Sequence, residues 1–146
     1  MSETGKIIFT SIATLLGGVI LLTAGQLITK LFIEPLLKLR GAIGEISFSL
    51  IYYANIIGNI DDDIPLDKER ISKAKDSFRK LAAELRVAAY ELPCYRIFYF
   101  LRLVPRRRNV LEAAPNLIGL SNTGRSTSPE SVARRINETK SLLGIK

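Results

Sequence analysis

Between Lys6 and Lys30 the chain runs for 23 residues, 7–29, without a single charge. The run holds 12 large apolar side chains, two Ala, three Gly, five Ser or Thr, and Gln26. As an α-helix it rises about 34 Å, against a hydrocarbon core of roughly 30 Å. Its Ser and Thr residues are cheap there, because their hydroxyls bond back to the helix's own carbonyls. Gln26 lies near one end, within reach of headgroups. A cleaved signal peptide fits less well. It would have a shorter apolar region, a more basic start and a small-x-small cleavage site, whereas Glu3 offsets Lys6 and "TAGQ" is a poor site. A buried helix of a soluble bundle, with 7–29 as its core, is the remaining alternative, but such helices are usually shorter and keep a polar face. The expectation is a transmembrane anchor over residues 1–34.

The flanks orient that anchor. Lys6, Glu3 and the amino terminus lie on one side; Lys30, Lys38 and Arg40 lie on the other, with Glu34 and Glu45. The positive-inside bias places the N-terminus outside and residues 35–146 in the cytoplasm. Within the span, Thr10, Ala13, Thr14, Gly17, Gly18 and Gly25 follow three- and four-residue steps, with Leu21 completing the row. Rows of small residues let two helices approach closely, so a homo-oligomer through this helix is one expected association; the plainer reading is that small residues are common in any span.

The rest of the chain reads as helices, giving an all-α fold: one N-terminal transmembrane helix, then a cytoplasmic hairpin and bundle of about four helices. Pro35 reads as a restart and a kink after the span. From there Leu36, Leu39, Ile43, Ile46, Leu50, Tyr53 and Ile57 alternate three- and four-residue steps, predicting a helix over about 36–58. Leu37, Phe48, Ile51, Ala54 and Ile56 widen this stripe and predict packing on more than one neighbour. "GNIDDDIPLDKE" marks a stop, a turn and a new start, with Asp67 or Asp63 as the expected cap. Ile71, Ala74, Phe78, Leu81, Leu85, Ala88 and Leu92 then repeat the pattern over about 67–92, opposite a charged face. Shorter helices are expected over about 95–103, over 109–120 (capped by Asn109 and disturbed by Pro115), and over 129–143. Ser128, Pro129 and Glu130 open the last of these, Val132, Ile136, Thr139 and Leu143 line its inner face, and Gly144 stops it.

Composition removes most catalytic chemistries. There is no histidine and one cysteine, Cys94, so imidazole catalysis, thiolate clusters and an intrachain disulfide are all out of reach. Cys94 is read as a packing residue, with a redox, lipidation or nucleophilic role as the minor alternative. No cofactor or metal is expected. Asp61, Asp62, Asp63, Asp67 and Glu69 form the one carboxylate cluster, lack EF-hand spacing, and are read as caps and turn residues. "GLSNTGRS", Gly119 to Ser126, spells part of a phosphate-binding loop, but a helix precedes it where that loop needs a strand.

The net charge of +7 comes entirely from residues 95–146, which hold 10 basic and 3 acidic side chains. "YRIFYFLRLVPRRR" concentrates both rings and guanidinium groups. One reading makes it an interfacial helix, its rings at headgroup level and Arg102, Arg106, Arg107 and Arg108 reaching lipid phosphates. The other puts the aromatics in the bundle core and leaves the arginines solvated. Nucleic acid is the weakest of the partners considered, since no nucleic-acid-binding fold signature accompanies the arginines.

The span together with "IEPLLKLRGAIGEISFSLIYYANI", "LAAELRVAAYELPCY", "VP" and "NLIGLSN" resembles uncharacterised small bacterial single-pass membrane proteins with a cytoplasmic helical domain. The resemblance covers most of residues 7–124. It implies a bacterial inner-membrane setting and no enzymatic activity, and it carries over no functional residues. The expected function is that of a membrane-anchored, non-catalytic binding or scaffold protein, with the lipid bilayer and an unidentified protein as partners. A self-associating membrane-perturbing or stress- or defence-linked effector is the alternative.

Overall fold

The computed structural model describes residues 3–54, 56, 65–124 and 127–145, with the side chains of 65–67 outside that description. Every element among them is helical. Helix α1 covers Glu3–Ile28, α2 Glu34–Tyr52, α3 Pro65–Glu91, α4 Tyr95–Phe100, α5 Arg107–Ser121 and α6 Pro129–Leu143.

The anticipated restart at Pro35 does not occur. Residues Glu3–Tyr52 form one continuous helix of 50 residues, joined across a π-helical turn at Thr29–Ile33. A proline inside a helix lacks an N–H and its ring crowds the carbonyl one turn back. The wider π turn, in which the Glu34 N–H bonds the Thr29 carbonyl, gives that ring room without ending the helix. Burial divides this one helix sharply. No residue of α1 is buried, so the bundle core contains none of residues 7–29, and the alternative that made them a core has no place in this chain's own packing. From Leu39 onward, Ala42, Ile46, Ser49 and Leu50 are buried.

The bundle is an alternating set of four helices. α2 packs on α3, α3 on α5, and α5 on α6, whose C-terminal end also meets α2. The core runs through all four, from Leu39, Ile46 and Leu50 to Phe78, Leu81 and Leu85, then Val110 and Leu117, then Val132 and Leu143. Both expected stripes are therefore real inner faces, although Ile57 lies outside the described residues. The widening of the α2 stripe is real only in part, since Ala54 and Ile56 are half-buried. Leu37, Phe48 and Ile51 are exposed, because α3 and the end of α6 cover one side of α2 only.

Local signals set both ends of α6. Ser128 accepts a hydrogen bond from the Ser131 N–H at 3.3 Å, Pro129 takes the first helical position, and Gly144 closes α6 with φ +69°. Two expectations shift by about a turn. α3 starts at Pro65, so Asp67 lies inside the helix, while Asp63 lies outside the described residues. α5 starts at Arg107, which puts Asn109 in the first turn with no capping role. α5 also continues through Pro115. Its neighbours Ala113, Ala114 and Leu117 are buried, and that tertiary packing outweighs one missing backbone bond. Among the described residues no buried side-chain nitrogen or oxygen lacks a partner.

Candidate functional site

Threonines make α1 self-contained. Thr10, Thr14, Thr23 and Thr29 donate their hydroxyls to the carbonyls of Lys6, Thr10, Val19 and Gly25 at 2.9, 2.9, 2.8 and 3.0 Å. Those four side chains thus need no water, and α1 is long and apolar enough to cross a membrane. The row of Thr10, Ala13, Thr14, Gly17, Gly18 and Gly25 lies along this uncovered helix, and at Gly17, Gly18 and Gly25 nothing approaches the Cβ position.

At the end of the bundle from which α1 leaves, tertiary structure gathers residues that are far apart in sequence. α3 returns antiparallel to α2, and Lys38 near the start of α2 bridges Glu91 at the end of α3 at 3.3 Å. The chain then turns through Pro93 and Cys94, which has φ +48°, into the short α4. Arg40 and Ile43 on α2 share a shallow hollow with Tyr99, Arg102, Leu103 and Arg106.

The two readings of "YRIFYFLRLVPRRR" divide residue by residue. Tyr95 and Val104 are buried and Phe98 packs against the core, whereas Ile97, Tyr99, Phe100, Leu101 and Leu103 stay exposed, Phe100 at 85%. Tyr95 donates its hydroxyl to the Pro105 carbonyl at 3.0 Å. Burial pushes its pKa up to about 12, against the opposing pull of Arg107. The expected helix over 95–103 ends at Phe100, because the chain closes there on itself. The Leu103 N–H bonds the Phe98 carbonyl and the Arg102 N–H bonds the Tyr99 carbonyl, both at 2.9 Å. This is the paired closure of a Schellman motif, in which the residue before the last donor takes a left-handed backbone. Glycine usually holds that position, as Gly144 does after α6; here Arg102 holds it, with φ +57°.

The four candidate arginines are not equivalent. Arg108 is paired with Glu112 at 2.6 Å. Arg106 donates to the Tyr99 hydroxyl at 2.7 Å and lies over that ring, 5.5 Å from its centroid. Arg107 lies over Tyr90 at 4.9 Å. Arg102 makes no ion pair among the described residues. Among the described residues, three of the four charges are thus unopposed by a carboxylate, two of them braced on rings. The Arg108–Glu112 pair has the familiar helical spacing of four, a signal that could have separated Arg108 from the other three. Arg40 and Tyr90 carried no such signal, since nothing local links them to residues 99–107.

Cys94 is exposed, contrary to the packing role expected of it, because the left-handed turn lifts it off the core. Gly119 sits inside α5 beneath the Arg135 guanidinium, the flexible end of a side chain that would move aside for a methyl group there. Arg125 and Ser126 lie outside the described residues, as do Asp61, Asp62 and Asp63. No cluster of metal-ligating side chains occurs among the described residues. Comparison with family models, with curated proteins and with solved structures finds no match.

Proposed function

We propose that this chain is a membrane-anchored, non-catalytic binding module. In this reading α1 crosses a bacterial inner membrane with its N-terminus outside, and the four-helix bundle stands on the cytoplasmic side as a platform for a protein partner. One observation carries the reading: a single continuous helix is wholly unburied over Glu3–Ile28 and contributes core residues from Leu39 onward. An apolar helix that its own fold leaves bare finds lipid the natural solvent. The exposed Phe48 and Tyr52 rings, stacked at 5.5 Å on the open side of α2, offer a partner apolar area to bury.

Membrane fractionation tests the anchor. Full-length protein is expected to resist high salt and alkaline washing, and protein lacking residues 1–30 to be released. Full-length protein in the soluble fraction would overturn the reading. Self-association through α1 is a second reading, supported by the open space at Gly17, Gly18 and Gly25. It expects crosslinked dimers in membranes that Gly17→Ile abolishes, and growth slowing on overproduction that the same change relieves.

A further inference from the structure

We infer that α4 and the arginine-bearing turn after it form a second membrane contact, which binds the acidic phospholipid headgroups of the bilayer that α1 enters. The inference rests on the anchor reading and adds a partner for a surface that reading leaves unused.

Placement is the first argument. Lys38–Glu91 and the hollow shared by Arg40 with Arg102 and Arg106 fix this segment beside the start of α2. From Ile33 to Arg40 the helix rises about 10 Å, at roughly 1.5 Å per residue. That distance is about one Debye length, so guanidinium groups at this level still lie within the range of an anionic leaflet's field.

Chemistry is the second. Ile97, Phe100, Leu101 and Leu103 are exposed amid Arg96, Arg102, Arg106 and Arg107, the mixed apolar and cationic surface suited to the headgroup boundary. Phe100 is the most exposed large apolar side chain among the described residues, and a headgroup boundary would cover it. The ring-braced Arg106 and Arg107 keep guanidinium edges available for phosphate, which they bind in fork geometry. Arg108 is the exception, its charge answered by Glu112.

Backbone strain is the third. Arg102 occupies a left-handed position that glycine fills without strain. Arginine costs more in this conformation than glycine would, and the charge is what a glycine there could not supply.

Cys94, the chain's single cysteine, is exposed one residue before α4 and carries the probe. Full-length protein labelled there with bimane is reconstituted into vesicles of phosphatidylcholine alone, or mixed with phosphatidylglycerol, each containing a lipid with a nitroxide on its headgroup. Strong quenching is expected in the acidic vesicles and weak quenching in the neutral ones. Arg102→Gly should shift the balance between docked and lifted bundle about fivefold towards lifted. Because glycine relaxes the backbone there, that loss has no explanation in misfolding. Phe100→Ser, at a fully displayed ring, should weaken quenching with the fold intact. Equal quenching in neutral and acidic vesicles overturns the inference, as does absence of quenching in protein that still floats with the vesicles. Protein that fails to float sinks the anchor reading and this inference with it.

Discussion

α1 and α3 are almost the same length, 26 and 27 residues, and nearly opposite in every other respect. α3 buries Ile71, Ala74, Phe78, Leu81, Ala82, Leu85, Ala88 and Ala89 along one face and turns its charges outward. Lys73 pairs with Glu69 at 2.6 Å and Lys80 with Glu84 at 3.7 Å on that outer face. α1 is apolar all round between Lys6 and Lys30 and buries nothing. The lesson concerns sidedness rather than hydrophobicity. A helix with one apolar stripe has a partner dictated by water on its other side. A helix without a polar side cannot be satisfied by packing on one neighbour, and the bundle leaves it entirely bare.

Matched substitutions break this contrast most directly. Phe78→Ala removes a fully buried ring that meets Tyr53 edge-on at 5.9 Å. It should cost about 3–5 kcal/mol, read as a lower urea midpoint of the bundle. Phe9→Ala, at a ring 69% exposed, should leave that midpoint where it is. Val19→Arg reverses the pattern. A charge at the centre of the span should cost about 3 kcal/mol of insertion, seen as loss of protein from the membrane pellet, with the bundle's own unfolding unchanged.

Smaller effects sharpen the boundary between the two regimes. Ser128→Ala should lower bundle stability by about 1 kcal/mol through loss of the α6 cap, without altering membrane recovery. Tyr95 supplies a pH signature. Its folded pKa lies near 12, above the usual value of 10.0. The stability it contributes is therefore complete below about pH 10 and is lost as pH rises towards 12. Alkaline unfolding followed by tyrosine absorbance should lose this steepness in Tyr95→Phe. A neutral hydrogen bond to Pro105 would disappear as well, at about 1 kcal/mol.

The proposed surface was legible only in part. Rings and arginines between 95 and 108 announce themselves by composition, and helical periodicity finds the inner stripes of α2, α3 and α6. Periodicity failed at Leu37, Phe48 and Ile51, where an apolar residue on a helix does not reveal whether a neighbour exists to cover it. The local rule failed at Pro35, where the expected restart gives way to a π turn that carries the helix through. At 95–104 neither reading was right for the whole segment, since Tyr95 and Val104 face the core while Phe100 and Leu101 face out.

The amino-acid sequence by itself determined the helical class, the apolar run of α1 and the position of the positive charge. These properties depend on which residues are near in sequence, the scale on which backbone propensity and periodicity act. Tertiary structure alone decided that α1 stays bare, that Arg40 lines one hollow with Arg102 and Arg106, and that Arg107 rests on Tyr90. The last two depend on α3 returning antiparallel to α2. That return is set by the core the two helices share, and a core formed by residues some forty positions apart leaves no mark in any local stretch of the chain.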